Sequence, residues 1–335
     1  MIQQAFPNEL FEMKNIPVNA KLLKHHQRVG YSIETVLFES LWGWEVNAHL
    51  YIPSGKGPFI PVIFPTGHSS KVNTHYQLPP VLFALNGFIA ITFDSPFQGE
   101  KAEGNDHFSQ GAACFLTGLW SETFFIMDAL RAIDYMANRD DVDMTHGVGM
   151  TGVSGGGQTT MTCAALDDRI RCIAPVCSTG DQVILAAEKY YTSCPETLGK
   201  GLLRAGIDLA ETLACSAPIP CLVVSGELDE LYDPDVVEDF VSQLTKIYTL
   251  YGMNNRFQHY EEKGVGHSYT LNMAEQVLKW MRKWLNQPES NFVKIDNPAN
   301  AIEPISILAC SPDSTKNMFS INLTRANKLE ISRQV

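Results

Sequence analysis

A cluster of glycines around one serine constrains most strongly what this chain of 335 residues can fold into. Residues 152–156 read Gly-Val-Ser-Gly-Gly, which fits the G-x-S-x-G pattern of a sharp turn from a strand into a helix. The backbone of such a turn is strained and crowded, so a Cβ at Gly152 or Gly156 is predicted to collide with the neighbouring strand and helix. An apolar run over 146–153 predicts the strand, and the small residues of 155–166 predict the helix. The pattern also fits a glycine-rich turn in other folds, so the rest of the chain has to decide.

The order of apolar runs predicts an α/β fold in which helices cover both faces of a mostly parallel sheet. Two antiparallel strands are predicted over 31–53, because residues 46–52 alternate between apolar and more polar side chains. Continuous apolar runs then alternate with helical patterns, as expected of strands that are buried on both faces. The later strands are predicted at 59–64, 88–93, 146–153, 170–176, 220–225 and 256–262. The helices are predicted at 77–85, 120–138, 155–166, 235–248 and 271–285.

Changes of pattern divide the chain into an N-terminal segment (1–30), a catalytic body (31–286) and a C-terminal extension (287–335). Residues 178–216 are irregular and predict a small, partly helical, lid-like insertion in the body. Four of its apolar residues are expected to form the core of this lid, or alternatively to line a pocket: Tyr190, Tyr191, Leu202 and Leu203. The extension is polar and turn-rich, and its two short apolar runs predict a hairpin packed on the body or on another subunit of a homodimer.

Charge and composition exclude several classes of partner. The net charge is −12 and no block of Lys and Arg stands out, so we expect neither nucleic acid nor a membrane surface as a partner. No apolar run approaches the roughly 20 residues that span a bilayer, and the first residues lack the pattern of a secretory signal. The eight cysteines form no C-x-x-C pair. These features predict reduced thiols and a cytoplasmic location.

Two further motifs follow the serine in the order that a triad on such a sheet requires, which is serine, acid and then histidine. Serine needs a base to become a nucleophile at neutral pH, and the base needs an orienting carboxylate. Asp229 comes directly after the strand at 220–225, and His267 comes after the last predicted strand. We therefore predict Ser154 as the nucleophile, Asp229 as the acid and His267 as the base.

Other side chains compete for the roles of acid and base. Three acidic residues share the loop of Asp229 and are expected to form a solvated surface: Glu227, Glu230 and Asp233. Four histidines are expected to have surface or structural roles, the last two of them in loops: His25, His26, His75 and His107.

An oxyanion hole needs two backbone N–H groups aimed at the developing negative charge. Gly155 follows the nucleophile, and His68 lies in the loop after the first parallel strand, so their N–H groups are the predicted donors. The imidazole of His68 is expected either to contact the substrate or to hold its own loop. The segment 94–100 is expected near the rim of the pocket, where it fixes a loop.

Six motifs together resemble the acetyl-xylan-esterase-like and dienelactone-hydrolase-like branch of the α/β-hydrolases, over about residues 20–286. They are Gly67-His-Ser69, Asp94-x-Pro-x-Gln-Gly-Glu100, Phe115-Leu-Thr-Gly118, Arg131-Ala-Ile-Asp-Tyr135, Gly149-Met-Thr-Gly-Val-Ser-Gly-Gly-Gly157 and Asp167-Asp-Arg-Ile170. The resemblance implies an α/β-hydrolase fold and a serine hydrolase, most often an esterase, that uses no cofactor. We predict no metal in its site.

The sequence departs from the carbohydrate deacetylases of that branch at three places. Phe97 stands where they have arginine, Gly155 stands where they have glutamine after the serine, and Ser268 follows His267 where they have glutamate. The resemblance therefore implies neither an acetylated sugar as substrate nor a ring-shaped hexamer. Dienelactone hydrolase uses a cysteine nucleophile, whereas this chain has Ser154. We predict a hydrolase of small carboxylic esters, such as an acetyl esterase; the alternatives are a peptidase or amidase, or a non-catalytic binding protein.

Overall fold

One sheet of nine strands forms the centre of the molecule. The computed structural model describes residues 6, 10, 16–41, 43–102, 107–188, 194, 202–287 and 291–334. The strands are β1 (Lys21–Gln27), β2 (Tyr31–Leu41), β3 (Trp44–Pro53), β4 (Ile60–Pro65), β5 (Phe88–Phe93), β6 (Val148–Val153), β7 (Ile170–Val176), β8 (Cys221–Gly226) and β9 (Phe257–Glu262). Their order across the sheet is β1-β2-β3-β5-β4-β6-β7-β8-β9. The first three strands and the β3–β5 pair are antiparallel, and all later pairs are parallel.

Helices lie on both sides of this sheet. They are α1 (Thr74–Leu85), α2 (His107–Leu116), α3 (Glu122–Ala137), α4 (Gly155–Leu166), α5 (Gln182–Glu188), α6 (Leu209–Ala214), α7 (Pro234–Leu250), α8 (Leu271–Trp284), α9 (Ile305–Leu308) and α10 (Met318–Gln334). In the part of the chain that the structure describes, no helix has the length and apolar character needed to cross a membrane.

The alternation of side chains along the buried strands supplies two separate cores. In β5, Ile89 and Ile91 point into the core shared with α3, α4 and α7. Phe88 and Ala90 point into the opposite core, which is shared with α1 and α8. Successive side chains of a strand face opposite sides of the sheet, so a continuous apolar run supplies both cores. The predicted α/β fold with a mostly parallel sheet is confirmed.

The sequence analysis missed the strand β1 and the helix α2. β1 pairs with β2 at the edge of the sheet, so the sheet begins inside the segment 1–30 that was predicted to lie outside the body. Five of its seven residues are polar and its two leucines, Leu22 and Leu23, are exposed, so it has no buried apolar pattern. The placement of His75 and His107 in loops was also wrong, because His75 lies in α1 and His107 is the first residue of α2.

The C-terminal extension packs on its own body, and the predicted hairpin is wrong. Its described part contains the short helix α9 and the long helix α10. Leu308 is fully buried, and the carbonyl groups of Ile307 and Ala309 accept hydrogen bonds from Lys24 Nζ at 3.2 and 2.8 Å. The apolar runs were too short to separate strand from helix by period. A homodimer contact through this segment stays a prediction.

His49 anchors the extension to β3 and gives the fold a dependence on pH. Its side chain is fully buried, and its Nε2–H donates to the carbonyl oxygen of Leu308 at 2.9 Å. Burial, and then the positive charge of Lys71, lower its pKa from 6.5 to about 3. Between these values the unfolded chain binds a proton that the folded chain does not bind. The stability that neutral His49 contributes is therefore complete above pH 6.5 and falls as the pH decreases toward 3.

We expect His49→Gln to weaken this dependence on pH. Between pH 6 and pH 4 the free energy of unfolding should fall less steeply than in the wild type, by up to about 1.4 kcal/mol per pH unit. Urea denaturation at stepped pH measures both slopes, and His25→Gln controls for the loss of an exposed histidine on β1. Equal slopes for the wild type and His49→Gln would contradict the assignment.

Candidate active site

Ser154 occupies a strained turn between β6 and α4. Its φ and ψ are 60° and −127°, a backbone conformation that residues other than glycine seldom adopt. The surrounding structure holds this conformation, because Ser154 N–H donates to the carbonyl oxygen of Val176 at 2.9 Å and Ser154 C=O accepts from Gly157 N–H at 2.9 Å. The side chain is left half-buried at the end of the strand. Backbone strain of this kind is typical of functional sites.

The glycines on either side of Ser154 are required by close packing. A Cβ on Gly152 would lie 2.6 Å from the carbonyl oxygen of Pro65 in β4 and 2.7 Å from the carbonyl carbon of Gly156. A Cβ on Gly156 would collide with the same oxygen of Pro65. The predicted collisions with the neighbouring strand and helix are therefore confirmed. They fix how closely β4 and its following loop approach the serine.

Asp229 and His267 are hydrogen-bonded to each other at the ends of β8 and β9. His267 Nδ1 lies 3.1 and 3.0 Å from the two carboxylate oxygens, and the Asp229 side chain is almost fully buried. The Oδ1 atom also accepts from the N–H groups of Leu231 and Tyr232, at 2.9 and 3.1 Å. Burial opposes ionisation, but the hydrogen bonds and charge of His267 and the two amides hold the pKa of Asp229 below its usual value. With Nδ1 as the donor, Nε2 is the ring nitrogen that can take up a proton.

Three further residues fix this pair, and sequence reasoning missed them. The Tyr232 ring stacks on the His267 ring, with centroids 6.0 Å apart and an interplanar angle of 18°. Gln158 Nε2 donates to the Tyr232 hydroxyl at 2.9 Å, which ties the stack to α4. The Cys177 thiol donates to the carbonyl oxygen of Ser268 at 3.3 Å. These contacts join segments far apart in sequence, so no motif indicated them.

Ser154 and His267 line the same cavity, which has a volume of about 450 Å³. The other residues that line it are His68, Ser69, His75, Tyr76, His107, Phe108, Val153, Cys194, Leu231 and Ser268. Leu202 and Leu203 instead line a cavity of about 20 Å³ beside α4 and α6, and Leu202 packs into the core. Tyr190 and Tyr191 lie outside the described residues. The structure thus brings Ser154 and His267 to one cavity, and Asp229 contacts His267 from outside the lining of that cavity.

The loop after β4 is in direct contact with the turn at Ser154. A Cβ on Gly67 would lie 2.9 Å from the nitrogen of Gly155 and 3.1 Å from Ser154 Cβ, so only glycine fits there. The N–H of Gly67 donates to the Tyr76 hydroxyl at 2.7 Å. Gly155 is the first residue of α4, and its N–H therefore has no acceptor within the helix. The predicted oxyanion donors, Gly155 and His68, both lie beside the serine.

A buried network of charges holds the far end of this loop. Lys71 is fully buried, and its Nζ lies 2.6 Å from an oxygen of Asp94 and 2.7 Å from an oxygen of Glu100. Asp94 also accepts from the backbone N–H of Lys71 at 2.8 Å and from Asn47 Nδ2 at 2.9 Å. Glu100 accepts from the backbone N–H of Cys310 at 2.9 Å. The loop-fixing role predicted for 94–100 agrees with these contacts, whereas Lys71 carried no sequence signal.

Comparison with known proteins places this site in a family. The model of the family "Acetyl xylan esterase (AXE1)" matches residues 3–179, and that of the "Prolyl oligopeptidase family" matches residues 125–288. The protein named "Putative hydrolase YtaP", from Bacillus subtilis (strain 168), is 25% identical over 289 residues. The match covers 80% of this chain and 93% of YtaP.

Many solved structures are similar in fold, including two esterases. Methylesterase BT1017 superposes with a TM-score of 0.77 at 23% identity, covering 98% of this chain and 74% of that one. Acetyl xylan esterase 1 from Thermoanaerobacterium sp. JW/SL YS485 gives a TM-score of 0.57 at 17% identity, covering 83% of this chain and 93% of that one. The first family model covers more than half of the sequence, including Ser154 and the loop that carries His68. The chain is an α/β-hydrolase that acts on ester bonds, and it belongs to the acetyl xylan esterase family.

Proposed function

We propose that Ser154, His267 and Asp229 are the catalytic triad with which this ester hydrolase forms and clears an acyl-enzyme. The observation that carries the proposal is the shared cavity. The serine at the strained turn and the histidine that is hydrogen-bonded to a buried carboxylate line the same 450 Å³ space. Nucleophile, base and orienting acid are the three parts that such chemistry needs.

In this mechanism Ser154 Oγ attacks the ester carbonyl carbon while its proton passes to His267 Nε2. The negative charge on the carbonyl oxygen is stabilised by the N–H groups of Gly155 and His68. His267 then returns the proton to the leaving alcohol, and the acyl group stays on Ser154. Water, deprotonated by His267, then attacks the acyl-enzyme. His267 returns this proton to Ser154 Oγ as the bond to the acyl group breaks, which releases the acid and restores the enzyme. Asp229 remains ionised throughout and stabilises the imidazolium, as its lowered pKa requires.

The proposed substrate is a small-molecule ester with a short acyl group, of which acetate is the simplest. The description of the matching family supports an acetyl ester. A peptidase is the alternative, because the prolyl oligopeptidase model matches residues 125–288. That match covers Ser154, Asp229 and His267, which an esterase and a peptidase of this fold would share, so it favours neither substrate.

Hydrolysis of three p-nitrophenyl esters, with acetyl, butyryl and octanoyl groups, tests the proposed function beside a matched acetyl p-nitroanilide. The proposed acetyl preference predicts that kcat/KM is highest for acetate and about tenfold or more lower for octanoate, because a site fitted to an acetyl group discriminates against added methylenes. Octanoate turned over as fast as acetate would exclude the acetyl preference, and faster cleavage of the anilide would indicate an amidase. If the folded protein hydrolyses none of these esters and a fluorophosphonate does not label Ser154, the chain is a binding protein.

We also propose that the protein works with reduced thiols in the cytoplasm and forms a homodimer. Its eight cysteines are free, and six of them are buried in the cores of the fold. Disulfide-linked cysteines in the mature protein would contradict the proposed location, and a monomeric mass in solution would contradict the proposed dimer.

A further inference from the structure

Two imidazoles and a thiol meet at the wall of the Ser154 cavity. His68 comes from the loop after β4, His107 begins α2, and Cys194 belongs to the insertion. One ligand atom from each lies within 4.8 Å of the ligand atoms of the other two, and all three side chains are half-buried. We propose that these residues form a binding site for a transition-metal ion, with Zn²⁺ the preferred ion.

The geometry fits a shared ion after small side-chain rotations. Zn²⁺ takes imidazole nitrogen at about 2.0–2.1 Å and thiolate sulfur at about 2.3 Å in a tetrahedral arrangement, which puts neighbouring ligand atoms roughly 3.3–3.6 Å apart. The ligand atoms lie within 4.8 Å of one another, so each pair has to close by at most about 1.5 Å. Two imidazoles that share one tetrahedral ion have ring centroids about 5 Å apart. The centroids of His68 and His107 are 4.8 Å apart, and the rings are tilted by 44°.

A second observation points independently to a ligand at this place. Nε2 of His107 is buried and has no hydrogen-bond partner among the described residues. A buried polar atom without a partner costs about 1–3 kcal/mol, and such atoms are rare in native structures. A metal ion bound through Nε2 would accept the lone pair of this nitrogen and remove that cost. Nothing in the proposed ester hydrolysis uses His107 Nε2, so the triad does not account for it.

The donor set selects the kind of ion. Two imidazoles and a thiolate suit Zn²⁺ and the neighbouring divalent transition metals, whereas Mg²⁺ and Ca²⁺ prefer oxygen ligands. Binding requires the Cys194 thiol to release its proton to solvent. Three protein ligands leave a fourth position for water on the cavity side. Sequence analysis predicted no metal, because the three residues come from separate segments with no ligand spacing.

The site has a consequence for the loop after β4. His68 would be a metal ligand through its ring, while its N–H is a proposed oxyanion donor. An ion on this ring would connect that loop to α2 and to the insertion. The metal site itself does not depend on the triad, and its test needs no turnover.

Titration of the metal-free, full-length protein with Co²⁺ tests the proposal, because a thiolate ligand gives Co²⁺ a near-ultraviolet charge-transfer band. We expect one Co²⁺ per chain, intense tetrahedral absorption, and displacement of Co²⁺ by Zn²⁺. Cys194→Ser should abolish the charge-transfer band, and His107→Ala should weaken binding by about tenfold or more. Circular dichroism checks that each variant is folded.

Two control variants separate this site from others. Cys215→Ser removes an exposed cysteine and should leave both the band and the affinity unchanged. Cys177, Asp229 and His267 form the other group of potential ligands among the described residues. Loss of the band in Cys177→Ser together with its retention in Cys194→Ser would place the ion at the triad and overturn the proposal. Absence of a thiolate band in the wild type would overturn it as well.

Discussion

Replacing Ser154 by alanine is expected to lower kcat for p-nitrophenyl acetate by about 10⁵ to 10⁶-fold, as in other serine triads. Alanine removes the hydroxyl that attacks the ester but keeps a Cβ at the same positive φ, so the turn and the stability of the fold should not change. The rate that remains should come from substrate binding and the N–H groups of the oxyanion hole. Steady-state kinetics on the wild type and the variant, with equal melting temperatures, measures the effect.

Ser69→Ala is the matched control for this variant, because Ser69 lines the same cavity. Its hydroxyl has no place in the proposed mechanism, so we expect a change in kcat of less than about tenfold. Turnover by Ser154→Ala within tenfold of the wild type would exclude the serine mechanism. A contaminating esterase is excluded if a fluorophosphonate labels the wild type and leaves Ser154→Ala unlabelled.

Asp229→Asn is expected to lower kcat by about 10⁴-fold, with little change in KM. The carboxylate accepts from His267 Nδ1, and its lowered pKa shows that it is charged at neutral pH. An asparagine amide can donate to Nδ1 instead, and this places the remaining ring proton on Nε2. The imidazole then faces Ser154 with a proton and cannot accept the proton of the hydroxyl. Measured as a function of pH, kcat of Asp229→Asn should stay low throughout the neutral range.

Glu227→Gln and Glu230→Gln are the controls, because both glutamates share the loop of Asp229. Glu227 is half-buried and pairs with Lys263 at 3.1 Å, whereas Glu230 accepts from the backbone N–H of His267 at 3.3 Å. Glu230 contacts the backbone of His267 and Glu227 pairs with Lys263, while the ring of His267 is hydrogen-bonded to Asp229, so we expect kcat to fall by less than about tenfold in each variant. A 10⁴-fold loss of kcat in Glu227→Gln or Glu230→Gln, with Asp229→Asn nearly unaffected, would show that the substituted glutamate, and not Asp229, is the acid.

The parallel half of the fold could be predicted from sequence because its strands are buried on both faces. Ile60–Pro65 and Phe88–Phe93 are continuous apolar runs, and their positions were predicted to within one residue. β1 could not be predicted, since it is an edge strand of mostly polar residues whose two leucines are exposed. α2 was missed for a different reason: it has apolar residues, but only Gly111 and Cys114 are buried in it, so they form no buried stripe at helical spacing.

The candidate site could be predicted only where it depends on chain order. Ser154, Asp229 and His267 each follow a strand that the sequence indicated, and parallel strands end at the same edge of a sheet. Tyr232 and Lys71 act through contacts across the fold, with α4 and with the segment 94–100. Such contacts have no fixed spacing along the chain, so the coordinates were needed to find them.

Glu100 makes the C-terminal extension part of the catalytic body. The same carboxylate holds Lys71 at the end of the loop after β4 and accepts the N–H of Cys310. A gene shortened at residue 286 would remove the cover over this carboxylate and admit water to a fully buried ammonium group. Trimming an expression clone at this boundary would therefore loosen the loop after β4, whose Gly67 packs directly against the turn of the reacting serine.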